Sequence, residues 1–364
     1  MTTDTVSSKE LKVILKRLAT GTDDFTPEDA AAGLRAIING ETNDAQLAGF
    51  LTALQLRGMG MRSDIISALA AEAQRHALVP DLSSKGFDMV VDIVGTGGDG
   101  WNTFNISTTS SLVAAAAGLR VAKHGSRSSS SNCGSADLLE SLGCDLDAIT
   151  PANVGELLGD HGFCFLFSST FHPSMRYLAK TRRELGFPTP FNVLGPLTNP
   201  VKPDRAVIGV HSKALGPVMA EALRILGRRN YAVVCGDENL DEISIAGISH
   251  VWHIDGDGNI DNYTIHPRDF GVPTHPLLAA AGSTLEENQA TLQRLLTNNI
   301  TDCDVPIRDF VLVNTGFLLF VSGWAASMQQ GADIARKTLE SGKVKTLLDG
   351  FASSTQKLKN AHSS

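Results

Sequence analysis

Short apolar segments alternate with helix-like segments from residue 89 towards the C-terminal part of the chain. The first, "MVVDIV" at 89–94, runs directly into "GTGGDG", and strand-like segments follow at 119–125, 163–167, 206–211 and 231–236. Segments that stay apolar throughout are typical of parallel strands buried on both faces, and a helix between two of them supplies the crossover. The alternation therefore predicts an α/β fold with a central, mostly parallel sheet flanked by helices.

The hydrophobic pattern in the N-terminal part of the chain predicts helices and no strands. Leucine and isoleucine recur at i, i+3, i+4 and i+7 between residues 11 and 18, as on the buried face of an amphipathic helix. Two more helices are expected to begin at the N-caps Thr26 and Thr42 and to end at Gly40 and Gly58.

These patterns divide the chain into two lobes. We expect a small helical lobe at residues 1–86, joined by helices from about 172–203, and an α/β lobe at residues 87–364. Beyond residue 285 the periodicity predicts three closing helices.

Composition excludes several classes of protein. The net charge of −8 lacks the basic excess of a nucleic-acid or anionic-membrane binder. The five cysteines form no CxxC pair, which favours reduced thiols over a disulfide framework or a zinc site. The N-terminus has no apolar targeting segment, and polar residues interrupt the most apolar segment, "FVLVNTGFLLFVSGW". These features predict a cytoplasmic protein with no membrane partner.

The glycine cluster "GTGGDG" at 95–100 follows a predicted strand and matches the dinucleotide fingerprint G-x-G-x-x-G. That fingerprint needs an acidic residue at the end of the next strand, which ends here in Lys123, His124 and Gly125. A glycine-rich surface turn is one alternative. Exposed backbone N–H groups at the end of a strand favour an anion site instead.

A second polar segment, "KHGSRSSSSNCGSAD" at 123–137, follows another predicted strand and should lie beside the first. Its cationic residues, its hydroxyls and a helix capped by Ser135 suit a polyphosphate. The alternative is a flexible serine linker.

Two adjacent acids, Asp241 and Glu242, follow the predicted strand "YAVVCG". Neighbouring acids on a loop are often solvated surface residues. Beside a pyrophosphate they would repel the ligand unless a cation such as Mg²⁺ lay between them. With such a cation, Asp99 can lie among the phosphate-binding glycines without opposing the ligand.

The helix predicted after His172 and Pro173 carries a pair of arginines, Arg182 and Arg183, next to a Gly/Pro-rich segment. Arginine at such a position can bind a carboxylate bidentately, although most arginines on a helix are solvated. No nucleophile motif is present, and the spacing of His250 and His253 in a strand directs them to opposite faces.

The motifs "GTGGDG–TFNIST", "KHG–SS–GSAD", "RRELG–FNVLGPLTNP" and "LDEIS" occur in an order and spacing that resembles the anthranilate phosphoribosyltransferase family, over essentially the full chain. The resemblance implies transfer of phosphoribose from phosphoribosyl diphosphate (PRPP) to the amine of anthranilate, an early step towards tryptophan. It also implies two Mg²⁺ ions in each active site, a site between the lobes, and a homodimer formed through the helical lobe.

The resemblance assigns roles to individual residues. PRPP would be held by Gly95, Gly98, Asp99, Thr103, Asn105, Ile106, Ser107, Thr108, Lys123, His124, Gly125, Ser126, Arg127, Ser128, Ser129, Ser130, Ser131 and Ser135. Anthranilate would meet Gly95, Ser126 and Arg182. One Mg²⁺ would bind Ser107 and the second Asp241 with Glu242.

One position departs from the family pattern, because Ser126 stands where the family usually has an asparagine that contacts the aromatic substrate. No residue is assigned as general acid or base, since an aromatic amine is already unprotonated at neutral pH. Two alternatives belong to the same fold class: a pyrimidine nucleoside phosphorylase, which would not need paired magnesium ligands, and a non-catalytic relative that binds nucleic acid.

Overall fold

The computed structural model describes residues 8–21, 25–127 and 133–362. The chain begins with four α-helices: α1 (Ser8–Thr20), α2 (Pro27–Ile38), α3 (Asp44–Leu56) and α4 (Ser63–Arg75). Strands and helices then alternate as β1 (Val91–Gly95), α5 (Ile106–Ala116), β2 (Val121–Gly125), α6 (Ser135–Ser141), α7 (Val154–His161), β3 (Phe163–Phe167), α8 (Ser168–Phe171), α9 (Arg176–Leu185), β4 (Arg205–Gly209), α10 (Leu215–Ile225) and β5 (Tyr231–Gly236). The remaining elements are β6 (Ser249–Ile254), β7 (Ile260–Ile265), α11 (Leu285–Leu296), α12 (Val305–Val321), α13 (Met328–Glu340) and α14 (Lys343–His362).

The helix caps follow side-chain chemistry closely. Thr26 caps α2 as predicted: its hydroxyl accepts from the Asp29 backbone N–H, and the Asp29 carboxylate accepts from the Thr26 N–H. The predicted cap Thr42 is wrong by one residue, because the neighbouring Asn43 forms the same reciprocal pair with Gln46. The predicted stops, Gly40 and Gly58, both have left-handed backbone conformations.

The seven strands form one mixed sheet in the order β3-β2-β1-β4-β5-β6-β7. Strands β1 to β5 pair in parallel, and β6 and β7 add an antiparallel edge. The direction in which successive strands are added to the sheet reverses at β1, which pairs with β2 on one side and with β4 on the other. Polypeptide segments that leave the ends of β1 and β4 diverge there, which opens a crevice at the carboxyl edge of the sheet.

The strand predictions are confirmed, with boundaries one or two residues away for β1, β2 and β4. The prediction of three closing helices is wrong: four α-helices, α11 to α14, follow residue 285 within the described residues. Gly342, whose φ is 73°, separates α13 from α14. All five cysteines lie among the described residues and are free thiols there.

Two apolar cores cover the two faces of the sheet. On one face, α5 packs against β1 to β3, α12 packs against α5 and β4, and α13 and α14 pack against α5. On the other face, α10 packs against β5 and β6, and α4 packs against α10, so that the N-terminal helices share a continuous core with the sheet. Helix α9 contacts α2 and α3. The lobe boundary at residues 86 and 87 stays a prediction.

None of the helices in residues 8–21, 25–127 and 133–362 is both long enough and apolar enough to cross a bilayer. The most apolar helix, α12, is instead buried by its neighbours along most of its length.

Helices α12 and α13 approach each other closely where two glycines meet. A Cβ on Gly331 would overlap the carbonyl oxygen of Gly316, and a Cβ on Gly316 would lie 2.7 Å from the backbone nitrogen of Ala332. The neighbouring atoms belong to backbones, which cannot rotate away as a side chain would.

We therefore expect Gly331→Ala to lower the free energy of unfolding by about 1–3 kcal/mol, because the overlap outweighs the better helix propensity of alanine. Gly49→Ala is the matched control, since Gly49 lies inside α3 and a Cβ there meets nothing within 4 Å. That control should raise the stability by about 0.5–1 kcal/mol. Urea unfolding of the two variants measures both effects, and equal stability would contradict the packing argument.

Candidate active site

The predicted glycine loop and acidic loop meet at the carboxyl edge of the sheet. Gly95 ends β1 and lies opposite Gly209 of β4 in the parallel register. Asp241, from the loop after β5, lies directly over this pair: a Cβ on Gly95 would overlap Asp241 Oδ2, and one on Gly209 would overlap the Asp241 carbonyl oxygen. Glycine at both strand ends is therefore what allows the acidic loop to cross the sheet edge.

Hydrogen bonds run in both directions between the glycine loop and the acidic loop. Gly97, Gly98 and Gly100 have φ values of 68°, 79° and 79°, which favour glycine. The Gly97 N–H donates to Asp241 Oδ2 at 2.6 Å. Asp99 accepts from the Trp101 N–H at 3.0 Å through Oδ1, and its Oδ2 lies 3.5 Å from the Asp241 nitrogen. The Asp99 carboxylate thus stabilises the turn of the glycine loop.

Three carboxylates, those of Asp99, Asp241 and Glu242, are gathered at this edge. Desolvation, and then the Asp99 charge, raises the pKa of Asp241 to about 7. The pKa of Glu242 lies well above its ordinary value, mainly through desolvation and then through repulsion from Asp241 and Asp99. The Ser107 N–H donates to Glu242 Oε1 at 3.3 Å, whereas Glu242 Oε2 is buried without a hydrogen-bond partner among the described residues.

Lys123 brings a buried cation to the same cluster. Its side chain is 2% exposed, and Nζ donates to the Ile93 carbonyl at 2.8 Å and to Ser107 Oγ at 3.3 Å. Burial lowers the pKa of Lys123, and Asp92, Glu242 and Asp241 oppose that shift. A positive charge, a serine hydroxyl and backbone N–H groups therefore surround the acids.

The donor set fits a divalent cation that shares its ligands with a substrate. Among the described residues, no group of three or more His, Cys, Asp or Glu side chains could hold a metal ion unaided. Mg²⁺ does not require such a cage, because one or two carboxylates together with phosphate oxygens and water complete its shell. The unpartnered Glu242 Oε2, beside the raised pKa of Asp241, is the kind of oxygen that such an ion would satisfy.

At the start of α5, fewer of the predicted PRPP-binding side chains face the crevice than expected. Ile106 is fully buried and its N–H donates to the Phe104 carbonyl, and Thr108 is 1% exposed, so neither side chain faces the crevice. Asn105 Nδ2 donates to the Cys133 carbonyl at 2.9 Å, which ties α5 to the second polar segment. Thr103 forms an isolated antiparallel bridge with Ala281.

The second polar segment begins at the end of β2. A Cβ on Gly125 would lie 2.6 Å from Ser135 Oγ, so glycine allows the close approach of α6. The prediction that Ser135 caps this helix is wrong. Gly134 is the N-cap, and its N–H donates to the Asp137 carboxylate. Ser135 Oγ donates instead to the Ser126 carbonyl at 3.1 Å.

The exposed residues of this segment point to different partners. Ser126 is exposed, and its carbonyl accepts from Ser135 Oγ and from the Ala136 N–H. Arg127 pairs with Glu140 at 2.5 Å and lies over the Phe167 ring at 4.6 Å, so a phosphate would have to compete with these contacts. The predicted residues Ser128, Ser129, Ser130 and Ser131 lie outside the described residues.

A pair of buried histidines joins β2 to the segment after α9. The rings of His124 and His172 lie 5.2 Å apart. His124 Nδ1 donates to the Gly195 carbonyl at 3.1 Å, and His172 Nε2 donates to the Thr198 carbonyl at 2.8 Å. Burial, then the nearby His172, lowers the pKa of His124 to about 3, so it stays neutral and is poorly suited to general acid catalysis.

Asp92, the second residue of β1, and Asn199 form a buried pair that the sequence motifs did not predict. Asn199 Nδ2 donates to Asp92 Oδ2 at 2.8 Å and to the Ala122 carbonyl at 2.9 Å. Burial raises the pKa of Asp92 to about 6, opposed by Lys123 and by the Asn199 hydrogen bond. The only sequence signal was an acidic residue inside the apolar run "MVVDIV".

Arg182 lies in the last turn of α9, where desolvation lowers its pKa. Its Nη2 donates to Asn192 Oδ1 at 3.2 Å. Asn192 belongs to the same 190–199 segment whose Gly195 carbonyl binds His124, so Arg182 is linked to the crevice through that segment. The neighbouring Arg183 is exposed.

Comparison with known proteins gives a consistent result across the whole chain. The "Glycosyl transferase family, a/b domain" matches residues 88–345, and the "Glycosyl transferase family, helical bundle domain" matches residues 12–77. Anthranilate phosphoribosyltransferase of Schizosaccharomyces pombe is 41% identical over 329 residues, which cover 90% of this chain and 92% of that protein. The Moorella thermoacetica protein of the same name is 41% identical over 332 residues, or 91% and 94% of the two chains.

Solved structures agree with these sequence relatives. Anthranilate phosphoribosyltransferase from Saccharomyces cerevisiae in complex with PRPP and Mg superimposes with a TM-score of 0.88 at 32% identity, covering 97% of this chain and 99% of that one. The Thermus thermophilus enzyme gives a TM-score of 0.85 at 40% identity, covering 94% and 99%. Because identity and fold agree over nearly the full length, the chain belongs to the anthranilate phosphoribosyltransferase family.

Proposed function

We propose that this chain transfers the phosphoribosyl group of PRPP to the amine of anthranilate, giving N-(5-phosphoribosyl)anthranilate and pyrophosphate in tryptophan biosynthesis. The observation that carries the proposal is the meeting of Asp241, Glu242 and Lys123 with the glycine loop at the carboxyl edge of the sheet. A nucleoside phosphorylase, which handles one phosphate, would not need this acidic pair. The relatives' shared name supports the same reaction.

The glycine loop, the N-terminal turn of α5 and Lys123 supply positive potential where pyrophosphate leaves. In the transfer the C1–O bond to pyrophosphate breaks and its electron pair leaves with the oxygen. The amine nitrogen of anthranilate forms the new bond to C1 and then loses a proton. Holding the acceptor in line with that bond is the remaining task, which we assign to Arg182, Ser126 and Gly95.

Asp241 and Glu242 would hold one Mg²⁺ and Ser107 a second, giving two ions in each site. When bound, such ions neutralise charge on the leaving pyrophosphate. The protein's own part is to keep the carboxylates close to the glycine loop, through the Gly97 and Ser107 N–H groups.

We also infer that the enzyme works as a cytoplasmic homodimer joined through the helical lobe. Several large apolar side chains on that lobe are exposed, among them Leu56, which is 82% exposed, and Val13, Met61 and Tyr177. Exposed apolar surface of this kind is typical of a protein interface.

Asp241→Asn combined with Glu242→Gln should lower turnover by about 100-fold or more, because the cation that neutralises pyrophosphate loses its protein ligands. The melting temperature should stay the same or rise, since mutual repulsion among three desolvated acids is relieved. Loss of anthranilate fluorescence at limiting Mg²⁺ measures turnover. Asp257→Asn with Asp261→Asn, two exposed acids, is the matched control. Near-normal activity of the Asp241 and Glu242 double variant would contradict the proposal that these residues bind Mg²⁺.

Arg182→Ala should raise the KM for anthranilate about 10- to 150-fold and leave the KM for PRPP nearly unchanged, because one charge-assisted contact with the carboxylate is lost. Arg183→Ala removes the adjacent, exposed cation and should change neither constant. Saturation curves for both substrates decide the matter. Equal increases in both KM values would indicate a structural role through Asn192 instead.

Ser126→Asn should tighten anthranilate binding about two- to twelvefold without altering the KM for PRPP, because the longer amide restores a hydrogen bond that serine cannot span. The position is exposed, so the larger side chain has room. Wild type should still use anthranilate and should tolerate ring-substituted analogues. Loss of all activity in this variant would show that the acceptor pocket is built differently around residue 126.

A further inference from the structure

A second surface pocket lies at the opposite, amino-terminal edge of the sheet. It encloses about 440 Å³ and is formed where β1, β4 and β5 begin, with Lys202, Arg205, Arg228, Arg229 and Tyr231 in its wall. These strands are five or six residues long, so the pocket lies about 16 Å from the glycine loop. That volume is in the usual range for small-molecule sites.

The charge of this pocket differs from that of the whole protein. Four cationic side chains line it against two acids, Asp88 and Asp204, in a chain whose net charge is −8. Within the described part of the chain, none of the four cations forms an ion pair with a carboxylate. Asp204 is engaged elsewhere, because its Oδ2 accepts from the Val90 N–H at 2.8 Å. Unpaired cations around a concave surface concentrate positive potential within it.

The backbone around the pocket is strained in two places. Lys202 and Asn230 have φ values of 51° and 58°, in the left-handed region that non-glycine residues seldom adopt. They are two of the four such residues in the described ranges. Strained backbone of this kind clusters at ligand sites, where the surrounding structure holds it in place. Here the strained turns bring Lys202 and the Arg228–Arg229 pair to the same opening.

The cations are held in different ways. Arg228 Nη2 donates to Gln74 Oε1 of α4 at 3.1 Å, and Arg229 Nη1 donates to the Arg228 carbonyl at 2.7 Å. These contacts fix two guanidinium groups without neutralising them. The side chains of Lys202 and Arg205 make no hydrogen bond with any residue that the structure describes, so their donors remain available to a ligand.

We propose that this pocket is a binding site for a small molecule with two or more anionic groups, phosphate or carboxylate, separate from the phosphoribosyl transfer site. Guanidinium groups bind both kinds of anion bidentately, and a lysine adds a point charge. The half-buried Met89 lines the same pocket and would contact the carbon skeleton of the ligand.

Calorimetric titration of the full chain with 3-phosphoglycerate tests the proposal, with citrate to separate carboxylate from phosphate recognition and glycerol as a neutral probe. Wild type should show saturable binding of at least one anion that weakens with added salt, and none of glycerol. Lys202→Gln with Arg205→Gln should weaken it tenfold or more, since two charge-assisted contacts are lost. The KM for PRPP should not change in this variant.

Two further variants make the result specific to the pocket. Arg336→Gln with Lys337→Gln removes the same charge from α13, which contributes no residue to the pocket, and should bind the anion as wild type does. Asp88→Asn removes an acid from the pocket and should tighten binding a few-fold. Absence of saturable binding, equal losses in the two double variants, or weaker binding by Asp88→Asn would each overturn the proposal. Failure of phosphoribosyl transfer would leave this titration unaffected.

Discussion

Asp241 crosses the ends of β1 and β4 where both strands end in glycine. Gly95 and Gly209 are neighbours in the sheet register, and a side chain on either would occupy the space of Asp241. With Asp241 in place, its carboxylate reaches the Gly97 N–H, and the next residue, Glu242, reaches the N–H of Ser107. The glycine loop, the start of α5 and the acidic loop are therefore positioned by one crossing.

That crossing gathers like charges, which is costly without a counter-ion. Desolvation is the main cause of the raised pKa values of Asp241 and Glu242. The Asp99 charge raises both pKa values further, the Asp241 charge also raises that of Glu242, and Lys123 is the buried cation beside them. These charged groups need little rearrangement when a cation and a polyanion bind together, because the free energy that brings the charges together comes from folding. The same arrangement would hold either ligand less well when the other is missing.

The 190–199 segment forms hydrogen bonds with elements on both sides of the crevice. Gly195 and Thr198 bind the histidine pair, and Asn199 binds both Asp92 and the Ala122 carbonyl. At its other end the segment accepts a hydrogen bond from Arg182 of α9, which packs against the N-terminal helices. The position of α9 relative to β1 and β2 thus depends on a segment without regular strands, which is fixed mainly by buried polar contacts.

Local rules were sufficient for much of this protein: the sequence by itself determined the strand–helix alternation, the N-cap at Thr26 and the loops that carry the glycines and the acids. These follow from periodicity and from hydrogen bonds between residues three or four apart. It could not determine the pairing of Gly95 with Gly209, the contact between Gly97 and Asp241 across 144 positions, or the bond from Asn199 to Asp92 across 107. Only the tertiary structure decided those, because strand order and register, which no local pattern specifies, set which distant backbones approach closely enough to exclude a side chain.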